Sequence, residues 1–109
     1  NGPGGRIEKN ETPTECISRE VQEETTLSIL PSEWNYFAEI KRGNDCIYFF
    51  GATYEKREDA HTQTDEKIEW VKISRLPKNI LPQLTWLIPL CVDRLTQGTI
   101  KSARIEYVD

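Results

Sequence analysis

Glu20, Glu23 and Glu24 stand at i, i+3 and i+4 in a segment of helical character, so one face carries three carboxylates within reach of a common point. Like charges so placed repel one another and cost stability unless a cation offsets them. Hard oxygen donors suit Mg²⁺ or Mn²⁺, and a cage that the protein leaves incomplete keeps positions for water and for a substrate phosphate. Ahead of the carboxylates, Gly2, Gly4 and Gly5 permit a backbone path close to a ligand, where an exposed carbonyl would add another oxygen. Taken alone, the helix also has a plainer reading as a solvated acidic face, because runs of charge are usually surface.

Spacing shifts that balance. From Gly5 the chain runs through five residues to Glu11 and through seven more to Arg19-Glu20-Val21, then to Glu23-Glu24 and to Thr26-Leu27. This resembles the Nudix box, G-x5-E-x7-R-E-U-x-E-E-x-G-U with U aliphatic, at every position except Thr26, where the family has glycine. That glycine closes the helix and carries no chemistry, so threonine should reshape the turn and be tolerated. The resemblance implies a Nudix hydrolase of α/β class: an α/β/α sandwich with a mixed sheet, in which the box forms a loop, a helix and a second loop. It also implies Mg²⁺-dependent or Mn²⁺-dependent hydrolysis of a diphosphate linkage in a nucleoside triphosphate or another nucleoside diphosphate derivative. By position, Glu20, Glu23 and Glu24 would be metal ligands, with the base among them, and Gly4 would offer its carbonyl. Arg19 would orient a neighbouring carboxylate, and Glu11 would support the loop or an outer metal. Many members add a glutamate from a later loop, for which Glu66 is chosen here over Asp65; a surface acid is nearly as good a reading of that residue.

A weaker resemblance concerns the substrate. Asn1-Gly2-Pro3-Gly4-Gly5-Arg6 is similar to the glycine segment of the oxidised-purine nucleoside triphosphatases, the MutT-like enzymes that clear 8-oxo-dGTP, and Leu81 to Leu90 is similar to the start of their C-terminal helix beside the base pocket. Asn1, Gly5, Arg6, Gln83 and Trp86 are the substrate-binding candidates that follow. The animal enzymes carry a tryptophan and paired aspartates near that helix start, whereas this chain has Leu81, Gln83 and Leu84, which leaves base preference open. An aromatic residue on an apolar helix is more often core, so Trp86 has that second reading. His61, in a polar loop, reads as solvated.

These residues need elements to hold them. The 109 residues suffice for one small domain with a single core, and no repeat or linker divides them. Thr12-Pro13-Thr14-Glu15 has the form of a capping box with proline at the first helical position, which predicts a helix from about Pro13 to Thr25 with Cys16, Ile17 and Val21 as its apolar stripe. Segments at about Asn35 to Lys41, Cys46 to Tyr54 and Lys67 to Ile73 read as strands, the first two joined as a hairpin across Arg42-Gly43-Asn44-Asp45. The polar stretch 55–66 reads as a solvated loop. A second amphipathic helix is expected from about Pro82 to Thr96, bent near Pro89 and stopped at Gly98, with a last strand within Ile100 to Val108.

A Nudix domain normally opens with strands ahead of the glycines, and this chain starts at the glycines. The expectation is an N-terminally incomplete domain over 1–109 whose exposed edge is filled by a partner, giving a homo-oligomer through exposed or swapped strands; a fragment or a truncated gene product remains an alternative. A net charge of −4 argues against a broad nucleic-acid footprint. The sequence has neither an apolar run of membrane length nor a signal pattern, and its three cysteines lack metal spacing, which fits a reducing, cytoplasmic setting. Against the enzyme stands a non-catalytic Nudix-fold module for nucleotide binding or for dimeric interaction. The retained glutamates favour the enzyme, since a degenerate module has no physical reason to keep carboxylates that repel.

Overall fold

In the computed structural model, which describes residues 2–64 and 68–108, the first regular element is helix α1, Pro13–Thr25. Its start follows the expected chemistry: the Thr12 hydroxyl accepts from the Glu15 amide at 3.2 Å, and the Glu15 carboxylate accepts from the Thr12 amide at 2.9 Å. Its end shows what threonine does in place of glycine. Thr26 takes the left-handed conformation, φ 69°, and its amide closes on the Gln22 carbonyl. A branched L-residue is strained there, and its hydroxyl is tied to the Asp59 carbonyl.

The chain forms two compact units, Asn1–Trp34 with Tyr54–Ile80, and Asn35–Thr53 with Leu81–Asp109. In the first, α1 buries Cys16, Val21 and Thr25, and Leu27 and Ile29 follow them into the interior; Ile17 is half-buried. The Trp34 indole N–H reaches the Ser18 hydroxyl at 2.9 Å, fixing the short 3₁₀ turn Pro31–Glu33 near the helix. The polar stretch after Tyr54 is more than a solvated loop. It contains the 3₁₀ turn Arg57–Asp59 and caps the C-terminal end of α1. The His61 amide donates to the Thr25 carbonyl at 2.8 Å, and Gln63 donates to Glu24 and Gln22 carbonyls through its amide and its side chain. Helix ends leave such carbonyls without intrahelical partners, so distant residues complete α1.

The second unit holds a mixed three-stranded sheet of order β2-β1-β3, with β1 at Asn35–Arg42, β2 at Asp45–Gly51 and β3 at Ala103–Glu106. Strands β1 and β2 pair antiparallel as the expected hairpin, and Gly43 supplies the positive φ of 60° that its two-residue turn requires. Strand β3 lies parallel to β1. Helix α2, Leu84–Thr96, packs Leu87 onto Phe37, Ala38 and Ile40, with Phe49, Trp86 and Leu90 around them. This apolar cluster is the core of the sheet unit. On the sheet, Glu39 is buried, and its carboxylate accepts from Arg104 and from the Cys46 thiol at 3.4 Å.

The strand expected at 67–73 is absent among the described residues. Ile68 to Lys72 are irregular and Ile73–Arg75 is a 3₁₀ turn. Alternating β-branched and aromatic residues make a strand only where a neighbouring strand offers a ladder. Here the Ile68 backbone bonds instead to the Thr62 hydroxyl, and Trp70, Val71 and Ile73 are exposed. Strand β2 also stops at Gly51, short of Tyr54, whose hydroxyl donates to the Asp59 carboxylate at 3.2 Å. No described helix is long and apolar enough to cross a membrane, and Cys16, Cys46 and Cys91 are free thiols.

Candidate active site

The glycine segment and α1 belong to the same unit, and Arg19 ties them together. Its Nε donates to a Glu11 carboxylate oxygen at 2.7 Å and its Nη2 to the other at 3.1 Å, a two-pronged pairing that a planar guanidinium makes well. Nη1 reaches Glu20 at 2.9 Å and, at 3.4 and 3.5 Å, both oxygens of Glu23. Nη2 also donates to the Arg6 carbonyl at 3.1 Å. One cation thus neutralises part of the charge that the helix face concentrates and holds the loop beside it. The hydrogen bonds from Arg19, with one from the Glu8 backbone, hold the Glu11 carboxyl at about 2, well below its ordinary 4.5; the same pairing pushes Arg19 up, so its charge is permanent.

Two of the three helix glutamates meet the glycine turn. The Gly4 amide donates to a Glu24 carboxylate oxygen at 3.0 Å. The Glu20 carboxylate packs so closely on Gly5 that a Cβ there would overlap it, so a larger residue at this position would push the end of the Glu20 side chain aside. Glu23 is more open, its side chain 56% exposed against 17% for Glu20. That contrast separates a carboxylate open to solvent from one packed on the loop.

The arrangement suits a hard cation of low protein coordination. Among the described residues no three His, Cys, Asp or Glu side chains form a ready-made cage. Mg²⁺, however, is commonly held by one or two carboxylates and completed by water and phosphate. Glu20 and Glu24, both against Gly4-Gly5, supply oxygen donors of that kind.

Of the residues singled out in the sequence, Gly4, Gly5, Glu11, Arg19, Glu20, Glu23 and Glu24 are thus brought together. The Arg6 backbone joins them, while its residue as a whole is exposed. Asn1 and Glu66 lie outside the described residues. Gln83 and Trp86 belong to the sheet unit: Gln83 precedes α2, where its carbonyl accepts from the Trp86 and Leu87 amides, and Trp86 packs against the core cluster. One participant went unnoticed in the sequence. Cys16 is buried and directs its thiol at the Arg6 carbonyl, 3.4 Å, and the Gly5 carbonyl, 3.8 Å. Its place four residues before Glu20 on the same helix face was the available signal.

One unit carries a glycine turn and an acidic helix tied by an arginine, a candidate cation and phosphate site, and the other carries a mixed sheet with its own helix; together these elements make a small α/β protein. A family model for the NUDIX domain matches residues 1–89, and the chain belongs to that family. Its mixed three-stranded sheet and two helices are consistent with a Nudix-type α/β fold. Members are generally hydrolases that typically use divalent metals, and membership suggests pyrophosphohydrolase activity on nucleoside diphosphate derivatives. No curated protein and no solved structure gives a significant match.

Proposed function

We propose that this protein is a Mg²⁺-dependent or Mn²⁺-dependent pyrophosphohydrolase that cuts the diphosphate linkage of a nucleoside triphosphate or a related nucleoside diphosphate derivative. The observation that carries the reading is the convergence of the Glu20 and Glu24 carboxylates on the Gly4-Gly5 turn, with Arg19 holding Glu11, Glu20 and Glu23. Glu20, Glu24 and the Gly4 carbonyl would hold the cation, with Glu23 and Glu66 as further ligands that the box and the later loop offer. A bound divalent cation would stabilise charge on the phosphates and acidify the attacking water. Arg19 keeps Glu20 against the turn so that this carboxylate need not reorganise during reaction. Glu23, long-bonded and exposed, is the carboxylate best able to take the proton from the attacking water, so we assign it the role of base.

Oxidised purine nucleotides are the substrates we favour, on the likeness of Asn1 to Arg6 and of Leu81 to Leu90 to the MutT-like enzymes. Asn1, Gly5, Arg6, Gln83 and Trp86 are the residues assigned to substrate. We place the protein in the cytoplasm, as a homo-oligomer, with neither polymeric nucleic acid nor a membrane as partner. The test is release of phosphate and pyrophosphate from a nucleotide panel, including 8-oxo-dGTP, with Mg²⁺ or Mn²⁺. Glu23→Gln and Glu24→Gln should each lower turnover by about a hundredfold or more while the fold persists. Nucleotide binding without turnover would point to a recognition module, and a variant with full activity would remove its glutamate from the mechanism.

A further inference from the structure

We infer that Cys16 is a positioning residue for the glycine turn: its buried thiol fixes the backbone that presents the Gly4 carbonyl and meets the Glu20 carboxylate. The inference rests on the cation-dependent reading above. Pinned at two points, the turn has little freedom. On one side the Gly4 amide is held by Glu24 at 3.0 Å. On the other, the Gly5 and Arg6 carbonyls face the Cys16 thiol at 3.8 and 3.4 Å, and Arg19 Nη2 donates both to the Arg6 carbonyl at 3.1 Å and to the Cys16 sulfur at 3.8 Å. The Gly4 carbonyl lies in the chain between these anchors. Because the Glu20 carboxylate packs directly on Gly5, any slip of the turn displaces a proposed ligand as well.

A thiol suits this place for a physical reason. Only its protonated form donates to carbonyls, and burial, reinforced by the Glu11 carboxylate, pushes the Cys16 thiol up, which keeps the proton in place. Sulfur also fills the space under the turn, so volume and hydrogen bonding must be separated. Cys16→Val keeps apolar bulk and loses the donor; Cys16→Ala loses both; Cys16→Ser keeps a donor on a smaller atom.

The experiment measures Mn²⁺ binding to the intact chain by the loss of the free-ion paramagnetic resonance signal, beside thermal melting in chelator. Partners that orient metal ligands typically contribute ten- to a hundredfold in affinity. Cys16→Ala and Cys16→Val should therefore bind Mn²⁺ about tenfold more weakly, and Cys16→Ser should stay within about threefold of wild type. This order should hold even where melting in chelator ranks the variants differently. Wild-type affinity in Cys16→Val would show that the thiol only fills space and would overturn the inference, as would equal losses in all three variants. Absence of Mn²⁺ binding by the wild-type chain would overturn the cation-dependent reading and this inference with it, whereas wild-type binding with unaffected variants would overturn this inference alone.

Discussion

Arg19 and Glu11 show how one pairing links stability to pH. The Glu11 carboxyl is held at about 2 by its hydrogen bonds with Arg19, against an ordinary value of 4.5. A group whose pKa falls on folding contributes stability that is fully present above its unfolded value and is lost as pH drops through the folded one. The window is therefore 4.5 down to about 2. Thermal melts across that range should show wild type losing its advantage over Glu11→Gln as pH falls, with the two converging at the acid end and wild type the more stable at neutral pH. Parallel curves would mean that Arg19 spends its charge elsewhere. Lysine at position 19 would not reproduce the effect, since one ammonium cannot serve Glu11, Glu20, Glu23 and the Arg6 carbonyl in the fork geometry observed.

At the scale of elements, α1 depends on residues far along the chain for its end. Its last carbonyls are taken by His61 and Gln63, and its C-cap, Thr26, is anchored to Asp59. Thr26→Val keeps the branched Cβ in the left-handed conformation and removes the hydroxyl bond, so it should destabilise by about 1 kcal/mol. Thr26→Gly relieves the strain while losing the same bond, and the two effects should nearly cancel, leaving stability within about 1 kcal/mol of wild type. Urea unfolding of both variants checks this. If Thr26→Val matched wild type, the Asp59 anchor would carry no weight and the loop would be capping α1 through its backbone alone. The neighbouring acidic turn carries the proposed chemistry, so a frayed α1 end would be felt in Glu23 and Glu24 first.

For the whole molecule, two expectations follow from charge and from exposed edges. If the protein works as proposed, Mg²⁺ should raise the melting temperature, because the folded carboxylates would bind it and the unfolded chain scarcely would; at a hundredfold excess over Kd the gain is about 2.7 kcal/mol. Glu20→Ala should blunt that rise. Unchanged melting of both proteins in millimolar-scale Mg²⁺ would make the acidic face mere surface. The second expectation concerns β2 and β3, the outer strands of the described sheet. Ile47 on β2 is 55% exposed, and an open apolar edge is a template for pairing with another copy. Light scattering should show mass rising with protein concentration, and Ile47→Lys should suppress the rise, since a charged edge residue disfavours pairing. A wild-type chain that stays monomeric throughout would rule out edge pairing.

Local rules were enough wherever the partners lie close in sequence. The capping box at Thr12-Glu15 and the turn at Gly43 act over a few residues, and each appears where the spacing put it. The family, too, was legible, because the box sets residue types at fixed offsets over 23 positions, Gly5 to Leu27. What depended on distant contacts was not. Ile68 to Ile73 has strand composition, yet a strand exists only with a ladder beside it, and whether one is present is decided by the rest of the chain. Likewise the polar stretch 55–66 reads as plain solvated loop, and only folding brings the Asp59 carbonyl and the His61 and Gln63 amides of its described part onto the end of α1. Cys16 carried no mark in the sequence beyond its helix face. Its thiol gained a task when the glycine turn folded back over the first turns of α1, a contact made by residues ten and eleven apart, beyond the reach of any local rule.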